Sequence, residues 1–338
     1  MSGRPSQPSR LYGSCRSFNI GVIALFVAGC GAGATSSGPE LASGSSPASR
    51  TPASQPPSST SPALSSAAAD TTATPSRNTD PNFEGTKVVF DPKNFVDPTL
   101  DTNQFHPLKP GLQWVRAGTT EVGSRVVPHE IITTMTDVTR IIDGVPTIAM
   151  LDESTDSGEV SQVGMDYMAL DRDGNVWILG GYTEDYQGGA YTNLDNAYLG
   201  TGNGSEVGIL APMTVDMNTP RWFIGNAPEE KASVGTPVEV GVRYCVTFGC
   251  YDNVRVVQEG NVGAPDNENK YYAPGVGVIN NIPLDASLHQ DTFQLTNFVM
   301  LSADGLAEAS KTVLDLEAHA RKVAKDVFGS APVGRRLH

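Results

Sequence analysis

Cysteine is scarce in this 338-residue chain, four in all, and basic residues are outnumbered, 23 Lys and Arg against 37 Asp and Glu. Each shortage excludes something. A formal charge of −14 makes nucleic acid and anionic lipid surfaces poor partners. The apolar run Phe18 to Ala28, broken by Asn19 and Gly21, falls short of the roughly 20 residues that a membrane-spanning helix needs. Catalytic motifs are missing as well. In "HEIIT", Thr133 stands where a zinc-protease helix needs its second histidine, and "NGSEVG" lacks the first glycine of a nucleophile elbow around Ser205. No phosphate loop occurs, and His106, His129 and His289 stand isolated, so no residue is assigned a catalytic role.

What is present begins at the amino terminus. Arg4, Arg10 and Arg16 precede the apolar run without an acid before residue 30, the layout of an export signal. Val27-Ala28-Gly29-Cys30 then resembles the lipobox of bacterial lipoproteins. There, small residues let the backbone lie extended in a peptidase groove, and the thiol of Cys30 accepts a diacylglyceryl group before cleavage. Residues 1–29 are expected to be removed, which takes the charge from −14 to −17 by loss of the three arginines. Two or three acyl chains hold a protein firmly, since each buried methylene contributes about 0.8 kcal/mol. A plain secretory signal that happens to end at a cysteine is the alternative.

Residues 30–81 are Ser, Thr, Pro, Ala and Gly with hardly an aromatic. Such a segment buries too little apolar surface to offset its ordering entropy, which predicts a disordered tether spanning on the order of 40 Å. The folded part is expected at 82–301, followed by a helix over 302–329 and a flexible tail at 330–338. With Cys15 removed and Cys30 lipidated, Cys245 and Cys250 in "YCVTFGCYDN" remain; they flank a turn, and in an oxidising compartment their spacing suits a local disulfide. Two free thiols are the alternative; zinc lacks further ligands nearby.

Short apolar segments recur between turn residues. Gln113–Ala117, Val126–Val138, Val145–Leu151, Val163–Leu170, Val176–Gly180, Thr236–Thr247, Asn253–Gln258 and Lys270–Ile279 read as strands. Asp143-Gly144 and Asp173-Gly174 supply hairpin turns. The fold class is mainly β, an antiparallel meander forming a curled sheet, a sandwich or a partly open barrel. "AYTNLDNAYLGTGNGSEVG" reads as a long Gly/Asn-rich loop, with Trp222 beyond it as an anchor or a ligand-stacking residue. After Ser302, Leu306, Ala309, Val313, Leu316, Ala320, Val323 and Val327 fall on one helical stripe, placing a long helix across the sheet or over a barrel mouth. Asp171, Asp173 and Asn175 set oxygens at alternate positions around a glycine turn, a weak calcium site. An Asp-Gly hairpin explains the same residues without metal, and Asp266 to Asn269 form a similar acidic turn.

"NQFHPLKPGLQWV", "DRDGNVWILGG" and "YYAPGVGVI" together resemble a group of exported bacterial proteins that share this motif order. The likeness spans roughly Asn103 to Ile279. It implies an exported β-rich domain and transfers no catalytic residue. Two functions fit: a membrane-anchored carrier of an apolar or envelope-derived ligand, or an envelope module with a solid core that contacts a protein or glycan. An enzyme is a lesser third reading.

Overall fold

The computed structural model describes residues 85–337, apart from Asn203, Glu229, Glu230, Asp266 and His289. The export signal, Cys30 and the tether lie outside the described residues, as do Asp266 and His289. A meander opens the domain. After the two-residue β1 (Phe95–Val96) come β2 (Leu112–Val122), β3 (Arg125–Ile142), β4 (Val145–Asp156), β5 (Glu159–Asp171) and β6 (Val176–Gln187). Asp143 and Gly144, at φ 49° and 81°, form the tight turn between β3 and β4. Between β5 and β6 the turn is wider, and there only Gly174 has a positive φ (83°).

The Gly/Asn-rich stretch departs from its reading as a loop. Ala190–Leu199 is a strand, β7, and only 200–205 connects it to β8 (Glu206–Ala211). Both lie along the same edge of β6, β7 on its later residues and β8 on its earlier ones. The open edge of β6 supplies a ladder that outweighs the low β-propensity of Asn and Asp. The circuit continues through β9 (Trp222–Asn226), β10 (Ser233–Val246), β11 (Gly249–Asn261), β12 (Glu268–Ala273), β13 (Gly277–Pro283) and β14 (Thr292–Met300). Since β14 pairs with β2 and β5 with β6, twelve strands form a closed antiparallel barrel. Of the forms that the sequence allows, the structure is the barrel, and its circuit is complete.

Eight strands enclose about the space that their own side chains fill; twelve leave a surplus. One end is stopped by the segment before β2. Asn103 Nδ2 donates to Gly174 O at 3.0 Å and Ala211 O at 2.9 Å, Gln104 O accepts from Gly275 N at 2.7 Å, and Phe105, His106 and Leu108 are buried. This contact explains the three motifs. "NQFHPLKPGLQWV" is the plug with the start of β2, "DRDGNVWILGG" the turn that holds Asn103, and "YYAPGVGVI" the turn that holds Gln104. Residues far apart in sequence meet at one end of the barrel and keep its stopper in place.

The predicted 302–329 helix is broken in two. α1 (Ala303–Val323) and the four-residue α2 (Lys325–Phe328) part at Ala324, whose φ −114° and ψ 52° are not helical. The break turns Phe328 onto Tyr182, with ring centroids 5.4 Å apart. Ser302 caps α1, its Oγ accepting from Gly305 N at 3.2 Å. Ala309, Val313, Leu316 and Ala320 are buried where α1 crosses β3, β4 and β5, so the helix lies across the sheet.

The tail does not trail free as the composition predicts. Arg335–Arg336 form β15 against Val138 and Thr139, and Arg336 donates to both carboxylate oxygens of Asp137. The pairing of β3 with β2 ends at Thr134, and the unclaimed edge beyond it takes up the tail.

Candidate functional site

Side chains alternate across the barrel wall, and the inward set is unusually ionic. Thr133 links β2 to β4: Arg116 Nη1 donates to its Oγ1 at 2.8 Å, and that hydroxyl donates to Asp152 Oδ1 at 2.5 Å. Opposite, Lys270 lies 3.2 Å from Glu259 Oε2 and 3.0 Å from Glu268 Oε1, and is 1% exposed. Tyr272 donates to Glu259, and Asn281 Nδ2 donates to Glu268 Oε2 at 2.6 Å. Near the other end of β3, His129 Nδ1 lies 2.7 Å from Asp156 Oδ1, and its Nε2 lies 3.7 Å from Asp291 Oδ2.

Burial governs how these groups titrate. It pushes Asp152 up to about 6 against the pull of Thr133 and Arg116, and Asp291 to about 6 against His129. Asp195, on β7, rises to about 7 through burial and then Asp185, and Asp166 rises well above the ordinary range through burial and then Asp152. Burial would lower Lys270, but Glu259 and Glu268 together outweigh it and hold the ammonium charged.

A pH dependence follows. Asp152, Asp195 and Asp291 have folded pKa values above the ordinary 3.8, so the stability they contribute is complete below that value and lost as pH rises through 6 to 7; Asp166, raised in the same direction by burial, adds a loss of the same sign. His106 has the opposite sign. Burial, then Arg116 and Lys270, lower it to about 4, so its contribution is full above 6.5 and lost as pH falls toward 4. The carboxyls outnumber it, and the melting temperature at pH 5.5 is expected to exceed that at pH 8 by roughly 5 °C. An equal or higher value at pH 8, read by calorimetry, contradicts this assignment.

The residues singled out in the sequence are dispersed. Asp171 is buried, and its oxygens accept from Asp173 N (3.0 Å), Asn175 N (2.8 Å), Asn175 Nδ2 (2.9 Å) and Trp177 Nε1 (2.8 Å). Asn175 Oδ1 accepts from Met213 N at 2.9 Å. These oxygens are spent on holding the turn. Trp222 is buried, its indole laid so closely over Gly235 that no Cβ would fit there, and it walls a cavity of about 10 Å³ with Phe105 and Arg255.

Cys245 and Cys250 are bonded near the tip of the β10–β11 hairpin. That hairpin bends over β12 to β14, with Tyr244 against Tyr271 (centroids 4.2 Å apart) and Phe248 N donating to Leu295 O at 3.1 Å. The ionic interior escaped the sequence reading. Nothing local marks it: Lys270, Glu259, Asp152 and Arg116 lie in strands that also carry other polar residues, among them Asn269, Gln258, Glu153 and Gln113.

The fold and the site define a closed, plugged antiparallel barrel with an ionised interior. No protein-family model matches the chain, and no curated protein matches it. A solved structure of a candidate lipoprotein from Parabacteroides distasonis ATCC 8503 is similar over 59% of this chain and 100% of that one, at 13% identity and a TM-score of 0.29. That score is too low to bear on fold or function.

Proposed function

We propose that this chain is an exported protein held at a membrane by a lipid on Cys30, and that its barrel acts through its outer surface as an envelope module contacting a protein or a glycan. The signal, the lipobox-like Val27-Ala28-Gly29-Cys30 and the tether composition support the anchor. One observation carries the choice of module over apolar carrier: Lys270, Glu259 and Glu268 occupy the barrel interior. An apolar cargo in their place would strand buried charge. Three of the cavities bounded by described residues measure about 60, 20 and 10 Å³, each far below the several hundred that a lipid-sized ligand fills. Under α1, Val313, Ala320 and Phe328 are fully buried, which leaves that seam packed.

Native mass spectrometry of the full chain purified from its own host tests this reading. The expected mass is the acylated chain alone. A stoichiometric apolar adduct beyond the anchor contradicts the module and restores the carrier.

A further inference from the structure

Between β13 and β14 the barrel wall is thin. Only Asn280 with Gln294 and Asn281 with Phe293 pair there, and beyond them the strands part. Two side chains of β2 reach across the gap to carbonyls on or beside β13: Trp114 Nε1 donates to Val276 O at 2.5 Å, and Arg116 Nε to Val278 O at 2.9 Å. Behind the parting lies a chamber of about 20 Å³, lined by His106, Trp114, Arg116, Met150, Val278 and Phe293. The tip of the β10–β11 hairpin covers the seam from outside, through the Phe248 contact already described.

Arg116 is 4% exposed and makes no salt bridge among the described residues; its hydrogen-bonded link to Asp152 runs through the Thr133 hydroxyl, and the carboxylate attracts the guanidinium across that gap. The faces of Trp114 and Phe293, with centroids 5.8 and 5.7 Å from its guanidinium carbon, offset part of that charge. With Nε and Nη1 engaged, Nη2 has no hydrogen bond to a described residue. His106, 7% exposed, also lines the chamber, and its Nε2 is buried without a partner. A buried guanidinium and a buried imidazole nitrogen, on two residues that line one small space otherwise walled by Thr133 and apolar groups, leave unmet demand for an acceptor.

We infer that this chamber is a site for one small inorganic anion of chloride size, bound between Arg116 Nη2 and His106 Nε2–H. Size decides the class. A chamber of about 20 Å³ holds one water-sized body, and a carboxylate with any apolar body is too large for it as it stands. Charge separates chloride from water, because Arg116 carries its positive charge into a place where no carboxylate meets it directly. The inference is independent of the envelope-module reading, since it concerns a site inside the wall and not the outer surface.

Two measurements on the full chain test it. In thermal melts at constant ionic strength, replacing sodium gluconate by sodium chloride is expected to raise the melting temperature with saturation in the millimolar range. His106→Phe, which fills the chamber, is expected to abolish the chloride-specific rise while the circular dichroism of the fold is kept. Crystals grown in bromide should show an anomalous peak within hydrogen-bond distance of both nitrogens, a readout that needs no variant. Equal melting in the two salts, or bromide only at surface positions, overturns the site and leaves a water in its place.

Discussion

Glu317→Ala is expected to destabilise the domain by about 3–5 kcal/mol, among the largest losses that a single substitution outside the barrel interior can cause. Glu317 lies beneath α1 at 1% side-chain exposure, and Arg140, its partner at 3.1 Å, is at 0%. Tyr167 also donates to its Oε1, and Gly334 N donates to Oε2 at 2.8 Å. One carboxylate thus ties β3, β5, the helix and the tail together. Arg140 Nε and Nη2 have no hydrogen-bond partner and Nη1 otherwise reaches only the Tyr167 hydroxyl, at 3.4 Å, so no other carboxylate among the described residues meets the guanidinium charge once Glu317 is gone. The rings of Tyr167 and Phe328, with centroids 5.4 and 5.2 Å away, offset only part of it. Urea titration reads the loss, and hydrogen exchange at 334–337 should rise with it. A loss under about 1 kcal/mol would show that the pair is no better than a surface ion pair.

Lys270→Met is expected to cost a similar amount, about 3–5 kcal/mol at pH 7.5, for the inverse reason. It leaves Glu259 and Glu268 buried with like charge and no cation between them. The Glu268 carboxyl then favours protonation, so the loss should shrink by more than half at pH 5. Burial already raises Glu268 against the pull of Lys270 and Asn281, and removing the ammonium takes away the larger of the two restraints. A loss that does not change between the two pH values would mean that the lysine matters for its methylenes, not its charge.

The difference between what the sequence discloses and what it hides is physical. Local chemistry is legible: Asp143-Gly144 makes its turn, Ser302 caps its helix, and short apolar segments between turns mark strands such as β4 and β5. Closure is not local. It depends on β14 meeting β2 and on β6 serving β5, β7 and β8, pairings between residues up to 188 positions apart that no window of sequence contains.

The polar β7 is missed because its propensity argues against a strand until the edge of β6 is there to receive it. The tail is missed because the free edge of β3 beyond Thr134 exists only after β2 has ended its own pairing. The three motifs stand out in the sequence, yet their purpose emerges only where Asn103 and Gln104 touch the other two. The interior charges read singly as solvated residues and become a site only when the wall curls round them.

Everything proposed about where this barrel works depends on Cys30. Detergent phase partitioning of the full chain expressed in a bacterial host, with intact mass measured on each phase, tests it most directly. The account predicts wild-type protein in the detergent phase, at the mass of residues 30–338 plus a diacylglyceryl group with or without a further acyl chain, and Cys30→Ser in the aqueous phase. Wild-type protein in the aqueous phase, or a serine variant that still partitions into detergent, would contradict the lipid anchor.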